Sequence, residues 1–414
     1  KHTRQMKKYF LLSLIVSILL VSIFFFSSYL TALIPRKAIC KNALTSAQII
    51  DNEGLKHRIA GISIFRLDNF TDALMINIAM GIDENDAARS ISECKYTFRD
   101  DRMSVTQGIR DIANNDFTHN SQVYSRYWHG YLLFLRPALA FTDYNGIRTI
   151  NYILFTAMIA AIIWLAIKRK MVYTLMSYII SILAVNFFMV PLSMQFSNTF
   201  YISFIAILVI LAKKTDINRN LNIFTLFFIT GGLTSFIDLL TTPLITLCLP
   251  LLFLLGKEKE YKAHTAWKAI GLCTAAWIAG YSIMWICKWI VATQISGYNI
   301  SEAIEQVTLR MSTSHDSVDM SLRAIASFIA SRNILLVSVS SALLLFVAFN
   351  TYIFIRYKQK FIANSCFLLI AFMPLLWVLA VRNHSVIHYW FVWRLAVISV
   401  FAYSLFLFRT VRSS

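Results

Sequence analysis

Ten apolar runs, most of them close to the length of a bilayer-crossing helix, dominate this chain: 9–34, 148–167, 171–190, 194–212, 221–238, 240–256, 269–292, 333–355, 361–380 and 390–408. A helix needs about 20 apolar residues to cross a hydrocarbon core of about 30 Å, and there its backbone must satisfy its own hydrogen bonds. The runs therefore predict an all-α polytopic membrane protein with about ten transmembrane helices. Hydrophobic residues make up 57% of the 414 and charged residues only 14%, with a mean hydropathy of +0.61, which excludes an ordinary water-soluble enzyme.

The formal charge of +18 invites a nucleic-acid reading until its distribution is traced. With a cytoplasmic N-terminus, the inner segments are 1–8, 168–170, 213–220, 257–268, 356–360 and 409–414. They carry 19 Lys and Arg against three acids, Asp216, Glu258 and Glu260. Nearly all the excess charge thus follows the positive-inside rule, so it reports topology, excludes nucleic acid as a partner and puts both termini in the cytoplasm. The organisation that follows is a cytoplasmic N-terminus and first span (1–35), an extracytoplasmic loop with interfacial helices (36–147), spans two to seven (148–293), a second outer amphipathic segment (294–332), and spans eight to ten with a cytoplasmic C-terminus (333–414). The first apolar run is too long for a cleaved signal peptide and should stay as an anchor. Met6-Lys7-Lys8 has the look of a bacterial translation start, and the bacterial inner membrane is the expected location.

The outer loop holds 13 Lys and Arg and 13 of the chain's 21 acids, so the chemistry is sought on that face. Within Phe65-Arg66-Leu67-Asp68-Asn69-Phe70-Thr71-Asp72, two carboxylates lie four residues apart before the apolar stretch 73–80. Thr71 or Asp72 can cap that stretch as a short interfacial helix. Asp68 has no such explanation, so it is the first candidate for a catalytic base, with Asp72 in reserve and Arg66 and Asn69 beside them. Asp83, Glu84, Asp86, Asp100, Asp101, Asp111 and Asp116 read as solvated loop charge. Further on, Arg126, Trp128 and His129 open an aromatic stretch that leads into 132–141, too short to span and interrupted by Arg136-Pro137. An interfacial aromatic belt explains the stretch; phosphate held by Arg126 and His129, with Trp128 stacked on a sugar, is the functional alternative. Of six cysteines, Cys248, Cys273, Cys287 and Cys366 fall in spans as small apolar fillers. Cys40 and Cys94 lie outside, where an oxidising compartment permits a disulfide between them.

Ionisable groups at span ends mark function or a buried pair. Asp238 sits in an outer turn before Thr241-Thr242-Pro243, with Gln195, Ser197 and Asn198 opening a neighbouring span on the same face. Between the last two spans lies Arg382-Asn383-His384-Ser385-Val386-Ile387-His388-Tyr389-Trp390-Phe391-Val392-Trp393-Arg394. His384 and His388 could share a helix face, yet the run lacks the further ligands of a zinc site. Arg382, His384, His388, Arg394 and Lys288 instead offer cations at headgroup depth, suited to a lipid-linked phosphate, although ordinary binding of membrane lipids needs the same residue types. The outer segment after 294 has apolar Ile304, Val307 and Met311 at helical spacing, with Ser301 placed to cap it.

The arrangement of a basic N-terminus, one span, a large acidic outer loop and many further spans resembles the GT-C class of integral-membrane glycosyltransferases, particularly bacterial serotype-converting enzymes that use polyprenyl-phosphate sugars. The resemblance rests on Arg66 to Asp72, on Asp238 with Thr241-Thr242-Pro243, and on the basic aromatic turn at 382–394. It implies inverting transfer of a monosaccharide from a polyprenyl-phosphate donor to an O-antigen-like envelope polysaccharide or lipid-linked glycan. Asp68 would be the base, Arg382, Arg394, His384 or Lys288 would hold the leaving phosphate, and Asp238 would bind sugar hydroxyls. A divalent metal is optional in that scheme, and no cofactor is obligatory. A lipid-linked-sugar flippase, an O-antigen ligase or polymerase, and a non-catalytic envelope assembly partner are the alternatives; no inverted repeat or midplane charge pathway favours transport.

Overall fold

The computed structural model describes residues 2–61, 65–101, 103–213, 217, 220–257, 263–312 and 333–411, and only the backbone at 2–5 and 333–344. The protein is a helical membrane protein. Among the described residues seven helical segments are long and apolar enough to cross a bilayer: Met6–Ala32, Tyr144–Lys168, Met194–Ala212, Asn220–Ile237, Ala263–Ser296, Lys358–Ala380 and Tyr389–Val411. The remaining three apolar runs form a different pattern. The run at 171–190 is helical only over α8 (Val172–Ala184), because Asn186 turns left-handed (φ 48°) into a 3-10 turn containing Pro191. The run at 240–256 becomes α11 (Leu244–Gly256), which starts after Pro243, and 333–355 is α14 (Asn333–Arg356).

In chain order the elements before and between these are α1 (His2–Ala32), α2 (Arg36–Glu53), α3 (Asn69–Gly81), α4 (Ala87–Glu93), β1 (Tyr96–Phe98), α5 (Val105–Ala113), β2 (Asn120–Gln122), α6 (Leu132–Phe141), α7 (Tyr144–Lys168), α9 (Met194–Ala212), α10 (Asn220–Ile237), α12 (Ala263–Ser296) and α13 (Ile300–Met311). Then follow α15 (Lys358–Ala380), α16 (Arg382–Ile387), α17 (Tyr389–Val392) and α18 (Ala396–Val411). The strands pair antiparallel, Tyr96 opposite Gln122 and Phe98 opposite Asn120, a ribbon the hydropathy pattern does not announce.

The loop over 36–147 is a packed unit with its own apolar core. Helix α3 lies at its centre: residues 73–80 are all buried, six of the eight completely so, which replaces the expected interfacial helix. Buried Asn77 fixes the ribbon by donating to Thr97 O (2.8 Å) and Val105 O (2.7 Å) while accepting from Thr97 N (2.9 Å). Helix α6 keeps an interfacial character, with Phe134 and Phe141 exposed, but its Arg136 is fully buried. That guanidinium donates to the carbonyls of Thr31, Ala32 and Ile34 at the end of α1 and of Ala79 in α3. Helix ends leave such carbonyls without partners, so Arg136 ties the unit to the first span. In the spanning region α10 and α12 approach to backbone contact. A Cβ at Gly231 would lie 2.2 Å from Trp277 O, and one at Gly280 2.0 Å from Phe228 O, the close packing that small residues permit between membrane helices.

The expected Cys40–Cys94 disulfide is not formed. Both thiols are free; Cys94, buried at the left-handed end of α4 (φ 46°), donates its S–H to Ile91 O at 3.3 Å. Helix α13 is capped by Asn299, which accepts from Ser301 N at 3.1 Å, rather than by Ser301 itself. Its Ile304, Val307 and Met311 are exposed, as an amphipathic surface helix requires. The expected continuation of that segment over 313–332 lies outside the described residues.

Candidate functional site

The start of α9, the turn after α10 and the residues between α15 and α18 meet the loop unit at one end of the spans, and Asp72 makes the joint. Fully buried, it accepts from Tyr144 Oη (2.5 Å), Ser193 Oγ (3.2 Å), Met194 N (3.1 Å) and Gln195 N (3.0 Å). It therefore serves the orphan N–H groups at the beginning of α9, not those of α3. Burial pushes its carboxyl up to about 6, against the hydrogen bonds from Tyr144 and Gln195. Asn69 belongs to the same joint: it donates to Glu53 Oε2 (2.9 Å) and accepts from Arg148 Nη2 (3.1 Å), while Arg148 grips Glu53 at 2.6 and 3.0 Å. These two residues are architecture. Asp72→Ala should lower stability by at least about 2 kcal/mol, since it strands several buried donors; a thermal melt in detergent equal to wild type would contradict this.

Asp68 faces the other way. It is the N-cap of α3, accepting from Thr71 N at 3.3 Å, so the cap expected of Thr71 or Asp72 is Asp68 itself. Its carboxyl, only 3% exposed, also interacts with the Thr71 side chain and the Trp390 indole. Burial pushes its carboxyl above the ordinary range, opposed by Thr71, the Arg66 charge and the Trp390 indole. The Arg394 guanidinium is within its electrostatic reach as well.

Around Asp68 the structure gathers hydrogen-bond donors that have no acceptor. Arg394 is 1% exposed and lies 3.9 Å above the Phe196 ring. Its Nη1 donates to Trp390 O (2.9 Å), but Nε and Nη2 have no partner. Arg66 stacks 3.9 Å over Trp390, its Nε likewise unmatched. The indole N–H of Trp393 and Nδ1 of His388 are buried without a partner, Nδ1 being donor or acceptor according to the ring's tautomer, while the indole of Trp390 is turned to the Asp68 carboxyl. His388 lies 4.6 Å from His384, ring to ring. Since the Leu240 carbonyl can only accept, His384 Nε2 carries the hydrogen in their 2.8 Å bond. Burial drives the pKa of His384 down to about 3 and that of His388 to about 4, with nearby cations adding to the effect, so both rings are neutral at pH 7. Unmade buried hydrogen bonds are rare and costly, and an unpaired buried guanidinium more so. The arrangement is chemically prepared for an anion.

Other residues singled out in the sequence fall into three groups. Asp238 borders the cluster, 2% exposed and closing its own turn by accepting from Thr241 N at 3.1 and 2.9 Å; Leu240 within that turn is left-handed (φ 67°). Gln195 reinforces it by donating to Thr241 Oγ1 at 2.5 Å. Arg126 lies over Tyr124 at 4.2 Å and keeps a buried, unpartnered Nε. Trp128, His129 and Lys288, by contrast, are committed to the fold. Trp128 Nε1 donates to Met284 O (2.7 Å), and Lys288 Nζ donates to Ile91 O (3.2 Å) and Ser92 O (3.0 Å) at the end of α4. His129 donates from Nε2 to Tyr124 O (2.9 Å), so its Nδ1 accepts from Tyr131 Oη (3.0 Å). Arg382 is exposed, donating to Leu379 O at 3.1 Å, outside the cluster.

Sequence reading missed Arg310. It lies on α13, 5.8 Å from the Tyr127 ring, and its charge reaches His384 and His388; Asn383 holds α13 in place by donating to Leu309 O at 2.9 Å. The only signal was an arginine on the polar face of an amphipathic segment. No family model, curated protein or solved structure matches the chain.

Proposed function

We propose that the protein is an inverting membrane glycosyltransferase of the GT-C type, moving a monosaccharide from a polyprenyl-phosphate carrier to a cell-envelope glycan. The observation that carries this reading is the buried set of donor nitrogens on Arg394, Arg66 and Trp393 that meet no acceptor beside the Asp68 carboxylate. A phosphate monoester or diester supplies the missing acceptors, and guanidinium forks match its oxygens. Trp390 and Arg394 open the last apolar span segment, Tyr389–Val411, so a phosphate bound there would sit at headgroup depth with its hydrocarbon chain in the bilayer. Asp68 then accepts the proton of the acceptor hydroxyl as that oxygen attacks the anomeric carbon. The bond to the phosphate oxygen breaks on the opposite face, and the leaving phosphate takes the charge under Arg394 and Arg66. Because that phosphate is a good leaving group, no metal or other cofactor need carry a step.

The charge distribution of the sequence supports an extracytoplasmic site and cytoplasmic termini, and a bacterial inner-membrane location goes with the carrier proposed. Helices α8 and α11, of 13 residues each, reach only about 20 Å and do not cross the core alone; together with α14 and the seven long segments they would complete ten membrane-embedded segments. Purified protein incubated with polyprenyl-phosphate sugars and candidate glycan acceptors is expected to release free polyprenyl phosphate in step with glycosylated product. Sugar crossing a sealed vesicle with its phosphate bond intact would make the protein a transporter instead.

A further inference from the structure

A second site lies on the loop unit, away from the Asp68 cluster, where α5 runs into β2. Asp111, Asp116 and His119 each offer one ligand atom, and those atoms lie within 4.8 Å of one another. Each carboxylate has one oxygen engaged by hydrogen bonds. Asp111 is 2% exposed, and its Oδ1 is held by Arg99 Nη2 (2.6 Å) and Gln107 Nε2 (3.1 Å). Its Oδ2 is buried, accepts nothing, and stands 3.8 Å from His119 Nε2. Asp116 Oδ1 is occupied by Thr118 N (3.1 Å) and Thr118 Oγ1 (2.6 Å), which leaves Oδ2 3.1 Å from the same imidazole nitrogen. The chain between them is tied down by Asp116 N donating to Asp111 O at 2.8 Å.

We infer that Asp111, Asp116 and His119 bind a divalent transition-metal cation, zinc by ligand type. Two hard carboxylate oxygens and one imidazole nitrogen are a zinc set, with the fourth position left to water, whereas calcium and magnesium favour oxygen alone. Ligating carboxylates are ordinarily held by outer hydrogen bonds on their other oxygen, and here Arg99, Gln107 and Thr118 supply them. A buried carboxylate oxygen that receives no hydrogen bond, as Asp111 Oδ2 is, is the unsatisfied group such an ion would settle. The ion would pin the α5–β2 connection; it takes no part in the transfer chemistry, so this site stands or falls separately from the Asp68 reading. The rival arrangement is a protonated His119 shared between the two acids, with no metal.

The test is zinc titration of tag-free, full-length protein in detergent, against a zinc indicator dye and by thermal shift. Wild type should take up one zinc per chain and melt several degrees higher with zinc than with chelator. His119→Ala and, separately, Asp116→Asn should weaken zinc binding at least tenfold and remove the shift, and Arg99→Gln, which frees Asp111 without deleting a ligand, should weaken it about tenfold or more. Asp116 is on the surface, so its variant keeps the test open should His119→Ala fold poorly. Wild-type zinc uptake no greater than that of Asp116→Asn would overturn the assignment in favour of the proton-shared cluster.

Discussion

Asp68→Asn is expected to cut sugar transfer by about 10²–10⁴-fold, the usual worth of a general base, while leaving the melting temperature and the affinity for the lipid donor near wild type. The separation of these effects follows from the position. Asn caps a helix as well as Asp does, so the bond from Thr71 N survives and α3 keeps its start; the negative charge facing Arg66 and Arg394 is lost and with it the capacity to take up a proton. Turnover within a fewfold of wild type would remove Asp68 from the mechanism. The pH profile gives a second readout. Burial raises the Asp68 carboxyl above its ordinary 3.8, so the free base is lost at higher pH than for an exposed aspartate. Rate should therefore climb with pH through a midpoint above that value. The stability linkage has the corresponding sign: a carboxyl whose pKa is higher folded than unfolded costs stability above the folded value, and the cost fades on acidification toward the unfolded one. A rate profile flat from pH 4 upward would contradict the assignment.

How much of this was legible in the chain differs by residue. Seven of ten apolar runs form long spanning segments because hydropathy and helix length answer to the same bilayer thickness. The run at 171–190 did not, since hydropathy is blind to the left-handed Asn186 and the 3-10 turn that follow Ala184. At the site, residue type was readable and geometry was not. The basic aromatic turn at 382–394 showed its cations, but only the tertiary fold separates Arg394, buried against Phe196, from exposed Arg382. The exchange between Asp68 and Asp72 has the same origin. Three of the four partners of Asp72 lie 121 to 123 residues further along, and no local pattern reveals that a carboxylate will serve a distant helix. Lys288 and His129 were attractive for their charge and ring chemistry, yet both satisfy carbonyls left over by neighbouring elements.

Arg394→Met should have opposite effects on stability and on function, and this contrast separates a ligand site from a structural one. In the ligand-free protein Arg394 holds a buried charge with two donor nitrogens, Nε and Nη2, that no acceptor meets. Replacing a poorly compensated buried charge with an apolar side chain of similar length is typically neutral, or stabilising by about 1–4 kcal/mol. The variant should therefore melt at or above the wild-type temperature. Binding of polyprenyl phosphate should meanwhile weaken by about a hundredfold or more, since charge-assisted bonds worth about 3 kcal/mol together are lost. Trp390 and Trp393 border the site, so quenching of tryptophan fluorescence by the lipid reports the affinity directly. Arg394→Lys should recover only part of it: an ammonium restores the charge but not the planar fork, and burying it without carboxylate contact retains the desolvation cost. If Arg394→Met instead lowers the melting temperature and leaves lipid binding unchanged, the guanidinium is a packing element against Phe196 and the phosphate must be sought elsewhere, with Arg310 and Arg126 the next cations along the same wall.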